Sequence, residues 1–170
     1  MRFLKIKFKD GKVFIEYEVK RQDDKDPDQF SFSSADSPQP SFPAALQALA
    51  EDVVEMCELA ETDTVKIEVK GVSFSYGGAD EIMGATIVAQ KRLRYSNTAL
   101  NLNTPHKASE PYSEGGDESL CLTDDCTKRL TRLMDEAKQY IEGVRAQMDL
   151  FALKEAVDEH LDGPEQVRVH

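Results

Sequence analysis

The side chains that could do chemistry in this chain are few, and their spacing is loose. Asp24, Asp26 and Asp28 alternate in "DDKDPD" like the opening of a calcium-binding loop. Such a loop needs a glycine at its sixth position and a bidentate glutamate at its twelfth; here those places hold Gln29 and Ala35, so the run reads as a solvated acidic loop. Cys121 and Cys126 lie five residues apart with His106 upstream, but no second close pair of ligands completes a structural zinc site. A helix N-terminus beside Cys126 would lower a thiol pKa, yet no neighbouring residue identifies a base for it. No phosphate-cradling glycine loop, dinucleotide fingerprint or nucleophile elbow is present. The sequence therefore assigns no catalytic residue, no metal and no cofactor, and leans away from an enzyme.

Charge is more informative than motif. The net charge of −11 argues against a protein that simply coats nucleic acid, but the charge is segregated. Residues 1–21 carry seven basic and three acidic side chains, and residues 65–107 carry six and three. The intervening residues 22–64 carry one basic and eleven acidic, and residues 108–170 carry seven and fifteen. Three cysteines, an odd number, speak against a disulfide framework and for a reducing compartment. No apolar run approaches a membrane span, so a cytoplasmic location is expected.

The elements that must position these charges follow from periodicity. "FLKIKFK" alternates Leu4, Ile6 and Phe8 with Lys5, Lys7 and Lys9; Asp10-Gly11 is a two-residue hairpin turn, and Val13, Ile15, Tyr17 and Val19 alternate along the return strand. Residues 22–43 form an acidic, Ser- and Pro-rich loop with a short edge strand at "QFSFS". Ser41 is expected to cap a helix whose stripe is Leu46, Leu49, Val53, Val54 and Cys57. A strand with Val65, Ile67 and Val69 on one face breaks at Gly71 and resumes through Phe74 and Tyr76. The segment "IMGATIVAQKRLRY" is the next strand, and residues 96–120 are a long polar loop. Thr123 caps the last helix, which buries Leu130, Leu133, Met134, Ala137, Tyr140, Ile141 and Val144. The expected fold is α+β: an antiparallel sheet of about four to five strands in the order β-β-α-β-β-α, with two main helices on one face. It forms a single domain over 1–151, followed by a tail or helix extension over 152–170.

Two surfaces stand out on that scaffold. The sheet face away from the helices would carry Lys5, Lys7 and Lys9, then Lys66 and Lys70, then Arg92 and Arg94, with Phe14 among them. Cations with an interleaved ring suit single-stranded DNA, where charge follows the phosphates and rings stack on bases. Such a face is equally the polar exterior any one-sided sheet needs, and lysines discourage edge-to-edge pairing. The second surface is "QMDLF", Gln147, Met148, Asp149, Leu150 and Phe151. It resembles the short peptide by which bacterial DNA polymerases and repair proteins dock on the sliding clamp. The resemblance puts Gln147 at the polar anchor and Leu150 with Phe151 in the hydrophobic pocket; Met148 stands where leucine is commoner. Against display, Val144, Met148 and Phe151 continue the helical spacing, and Leu150, Leu153 and Val157 offer a second stripe. Gly143 favours a break without forcing one.

"VSFSYGG", "NTPHK" with the following "SEPYSE", and the last helix ending in "RAQMDLF" together resemble small proteins of tailed phages and prophages, encoded among replication and recombination genes. The resemblance spans roughly residues 65–151. It implies a phage or prophage source, action inside a bacterial host, and a role around DNA metabolism or host takeover; it implies no catalytic residues. Two expectations follow: an accessory protein that binds the sliding clamp or another host DNA-metabolism protein, or an acidic inhibitor mimicking DNA against a host defence nuclease such as a restriction or CRISPR enzyme.

Overall fold

The structure is a computed structural model, and it describes residues 1–23 and 26–146. Strand β1 (Arg2–Lys9) turns into β2 (Lys12–Val19) through Asp10 and Gly11, whose φ values of 52° and 72° are those of the expected hairpin turn. The edge strand is longer than "QFSFS": β3 (Asp28–Ser34) pairs with β2 along its whole length. Helices α1 (Ser41–Gln47) and α2 (Ala50–Met56) follow, and then a 3-10 turn at Glu61–Lys66. Strands β4 (Ile67–Gly77) and β5 (Ile82–Lys91) form the second hairpin. Two short strands, β6 (Leu100–Asn103) and β7 (Lys107–Ala108), precede α3 (Asp124–Ile141). The antiparallel sheet runs β3-β2-β1-β4-β5-β6, with β7 also on β5.

The fold is α+β with a one-sided core, but it differs from the sequence reading in several places. Among the described residues there are seven strands instead of four or five, because the polar loop 96–120 contributes two of them. Their alternation is too short to stand out; Leu102 reaches the core from β6, and Thr104 Oγ1 accepts the Ile87 N–H at 2.9 Å. A bulge between Phe3 and Lys5 reverses the facing of the chain, so Phe3 enters the core where Leu4 was expected. Ser41 is the first helical residue and caps nothing; its Oγ donates to Glu136 Oε2 at 2.9 Å, tying α1 to α3. The single helix expected after it is two short ones, parted at Ala48–Leu49, yet Leu46, Leu49, Val53 and Val54 still share one buried stripe.

Val65 is 78% exposed, not part of a strand face. Thr64 Oγ1 donates to Glu61 O at 2.7 Å, winding 61–66 into the 3-10 turn and pointing Val65 outward. From there Ile67 and Val69 face the core, a bulge at Lys70 absorbs one residue, and Val72 and Phe74 resume the same face. A row Ile15–Ile6–Val72–Ile87 crosses four strands, and each of its side chains is essentially sealed from water. Leu130, Leu133, Ala137 and Tyr140 of α3 close over it with α1 and α2. Thr123 Oγ1 accepts the Cys126 N–H at 3.1 Å, the expected cap.

Candidate functional site

The face of the sheet away from the helices is built by pairing register. Lys5 stands between Glu16 on β2 and Ser73 on β4; Lys7 stands between Phe14 on β2 and Gly71 on β4. Gly71 is required there: a Cβ would sit 2.7 Å from the Lys7 Cγ, so the bare backbone is the bed on which the lysine stem lies. Phe14, 38% exposed, is the ring beside it. Ser31, Ser33 and Thr86 continue these rows outward, giving a polar floor with a lysine pair and one aromatic at its centre.

The other expected cations lie elsewhere. Lys9 ends β1 opposite Lys12 at the hairpin. Lys70 sits at the bulge, 2.7 Å from Glu68. Lys66 belongs to the 3-10 turn, not to a strand, and shares Asp63 with Lys91 at 3.5 and 3.3 Å. Those two ammonium groups, Lys91 first, hold the Asp63 carboxyl below its ordinary pKa. Arg92 and Arg94 follow the last residue of β5; the Arg92 N–H donates to Lys66 O at 2.9 Å and its guanidinium to Val65 O at 3.1 Å. Arg94 lies over the ring of Tyr95, which is almost wholly exposed. The structure thus brings Lys5, Lys7 and Phe14 together and gathers Lys66, Arg92 and Arg94 at one end of the sheet. Glu18 does not oppose the lysines, since it is buried against Arg2, which also reaches Glu81 at 2.9 Å.

Residues 142–146 separate α3 from "QMDLF". Gly143 has φ +102°, its N–H reaches Tyr140 O, and the Val144 N–H donates to Gln139 O at 3.0 Å, which closes the helix in a Schellman turn. Arg145 then folds back over the Tyr140 ring, 3.6 Å from its centroid, and the Ala146 N–H donates to Ser37 O at 3.0 Å. Val144 is therefore beyond α3 and partly exposed, correcting its place on the buried stripe. Gln147, Met148, Asp149, Leu150 and Phe151 themselves lie outside the described residues, as does the segment 152–170.

On the helical side one group was missed. Asp52, 3% exposed, sits between α2 and α3, where the Arg129 guanidinium reaches it at 3.2 Å and also pairs with Glu51. Burial pushes the Asp52 pKa up to about 6, opposed by a hydrogen bond from Cys126 and assisted by Glu55 and Asp125. Burial, with the Asp52 charge, pushes the Cys126 thiol up to about 12, so proximity to a helix N-terminus does not activate it. His106 pairs with Ser75, Nε2 to Oγ 2.7 Å, over the bare backbone of Gly84. Of the alternating aspartates, Asp24 lies outside the described residues and Asp28 pairs with Arg21 at 3.2 Å. Among the described residues no group of three or more His, Cys, Asp or Glu side chains is arranged to hold a metal, and no helix is long and apolar enough to cross a membrane.

Comparison with family models, curated proteins and solved structures finds no match to this chain.

Proposed function

We propose that this protein is a non-enzymatic accessory factor of phage or prophage DNA replication or recombination, docking on a bacterial sliding clamp through Gln147, Met148, Asp149, Leu150 and Phe151. Single-stranded DNA is its second partner, held by Lys5, Lys7 and Phe14, with Lys9, Lys66, Lys70, Arg92 and Arg94 extending the field around them. The observation that carries the reading is the end of α3 at Gly143. The Schellman turn ends α3 ahead of Gln147, which supports reading the pentapeptide as a segment separate from that helix. A Gln-x-x-Leu-Phe peptide placed after a helix stop suits insertion of two adjacent apolar anchors into a partner's pocket.

The test is a calorimetric titration of the full chain with purified sliding clamp, repeated with the double substitution Leu150→Ala and Phe151→Ala. Saturable binding that the double variant loses, with an unchanged thermal melt, is expected. No binding by the wild-type chain, or a variant that unfolds, would sink the docking reading.

A second reading has its own observation. Glu51, Glu55, Glu61 and Asp125 edge one open groove beside α2 and α3, with Arg129 among them, and their carboxylates offer an acidic surface to the basic DNA-binding groove of a host defence nuclease. Inhibition of a restriction or CRISPR nuclease, relieved by salt, together with no affinity for DNA, would select this reading over the first.

A further inference from the structure

The structure leaves one long strand edge open. β3 pairs with β2 through seven consecutive residues, and no strand lies on its other side among the described residues. Free edges are ordinarily blunted by lysine, proline, a bulge or a covering element. β3 reads Asp-Gln-Phe-Ser-Phe-Ser-Ser, with none of those residues inside it and no register shift against β2. Phe30 is 45% exposed; it stacks on Tyr17 at a centroid distance of 5.2 Å and leaves its outer side in water. Phe32, next on the same side of the strand, packs edge-on against Tyr140. The edge at the opposite end of the sheet, β6, is only four residues long.

We infer that β3 is the interface for a second copy of this chain, joined antiparallel about a two-fold axis at Ser31. The register follows from the residues. Centring on Ser31 sets Phe30 of one copy against Phe32 of the other on the helix side, and Gln29 against Ser33 on the outer side. Asp28 then meets Ser34, so no charge within the strand faces its like. A shift of two residues would set Phe30 against its own copy or against Ser34, leaving an aromatic paired with a polar residue. Charge favours the same place. Two chains of net charge −11 repel over most of their surface, whereas β3 carries one charged side chain, Asp28, already held by Arg21. Beyond the strand ends Asp26 falls opposite Asp36, whose carboxylate lies 3.6 Å from the Arg145 guanidinium. Residual repulsion there predicts that self-association strengthens as salt is added.

The experiment is sedimentation velocity of the full chain over a wide concentration range, with two variants. Ser31→Lys puts like charges face to face at the axis while altering an exposed side chain, and weakens self-association several-fold with no change in the thermal melt. Ser31→Cys places two thiols across the axis at a Cα separation compatible with a disulfide, about 4.5–5.5 Å, and is expected to yield a covalent dimer on mild oxidation. The wild-type chain, with Cys57, Cys121 and Cys126, and the variant Gln29→Cys control for other crosslinks. A chain that stays monomeric at every concentration leaves the edge to another protein's strand or to its own residues after Ala146, and overturns the inference. So does a dimer indifferent to Ser31→Lys, or one crosslinked equally at position 29.

Discussion

Asp52 is the residue whose environment departs furthest from its appearance in the sequence. In "AEDVVEM" it sits between Glu51 and Glu55 and looks like one more acid on a solvated face. Burial between α2 and α3 depends on the arrival of Arg129 from a helix 77 residues away in the chain, which no local pattern announces. Its consequence is a pH dependence with a definite sign. The folded-state pKa is about 6 against an ordinary 3.8, so between those values the native state binds more protons than the unfolded chain. Stability contributed by the protonated carboxyl is full below about pH 4 and is lost as pH rises through 6. The loss should be ~1–3 kcal/mol, at the lower end because Arg129 favours the ionised form. Urea denaturation at intervals from pH 4 to 7 should show this decline in the wild type and a flatter profile in Asp52→Asn. Equal slopes in the two proteins would mean that Asp52 ionises normally.

At the level of elements, the end of α3 is the feature most open to a decisive substitution. Gly143 holds φ +102° with open space where a Cβ would project, so alanine meets no clash but must adopt a left-handed backbone. Gly143→Ala should cost about 1 kcal/mol in thermal or chemical denaturation, through backbone strain alone. A neutral or stabilising result would show that the helix can run past Gly143. The same glycine shows how far element boundaries are readable. Gly143 announced a stop that periodicity contradicted, and the hydrogen bonds of the Schellman turn decide for the glycine. The Asp10-Gly11 turn and the Lys5/Ile6/Lys7 alternation were legible because turn chemistry and facing agree within a few residues. The bulge at Leu4 was not, because an apolar residue on either side satisfies the pattern equally well. Nor was the exposed Val65, since a 3-10 turn and a strand start both accept "TVK". Lys5, Lys7 and Phe14 could be found from facing alone. The position of Lys66 and Arg92 depended on where β4 begins and β5 ends.

For the molecule as a whole, the arrangement of charge sets what can approach and from which side. Carboxylates concentrate on and beside the helices, whereas Lys5 and Lys7 occupy the middle of the opposite sheet face, on β1, which pairs with β4 at the centre of the sheet. A polyanion within about a Debye length of the sheet face lies closer to those ammonium groups than to the carboxylates of the helical side, which contribute to the net charge of −11. Binding through these lysines should therefore be confined to low salt and fall steeply as salt rises. Fluorescence anisotropy of a labelled single-stranded oligonucleotide over a salt series measures that slope. Lys5→Ala with Lys7→Ala should reduce it by about 1.4, or ~0.7 for each phosphate of a single strand that is no longer neutralised. Phe14→Ala should weaken binding by ~1–3 kcal/mol with the slope unchanged, because stacking releases no counterions. Those two signatures are independent. A slope untouched by the lysine substitutions would make this face the polar exterior of a one-sided sheet, and the DNA interface would have to be sought at the Arg92–Arg94 end or given up.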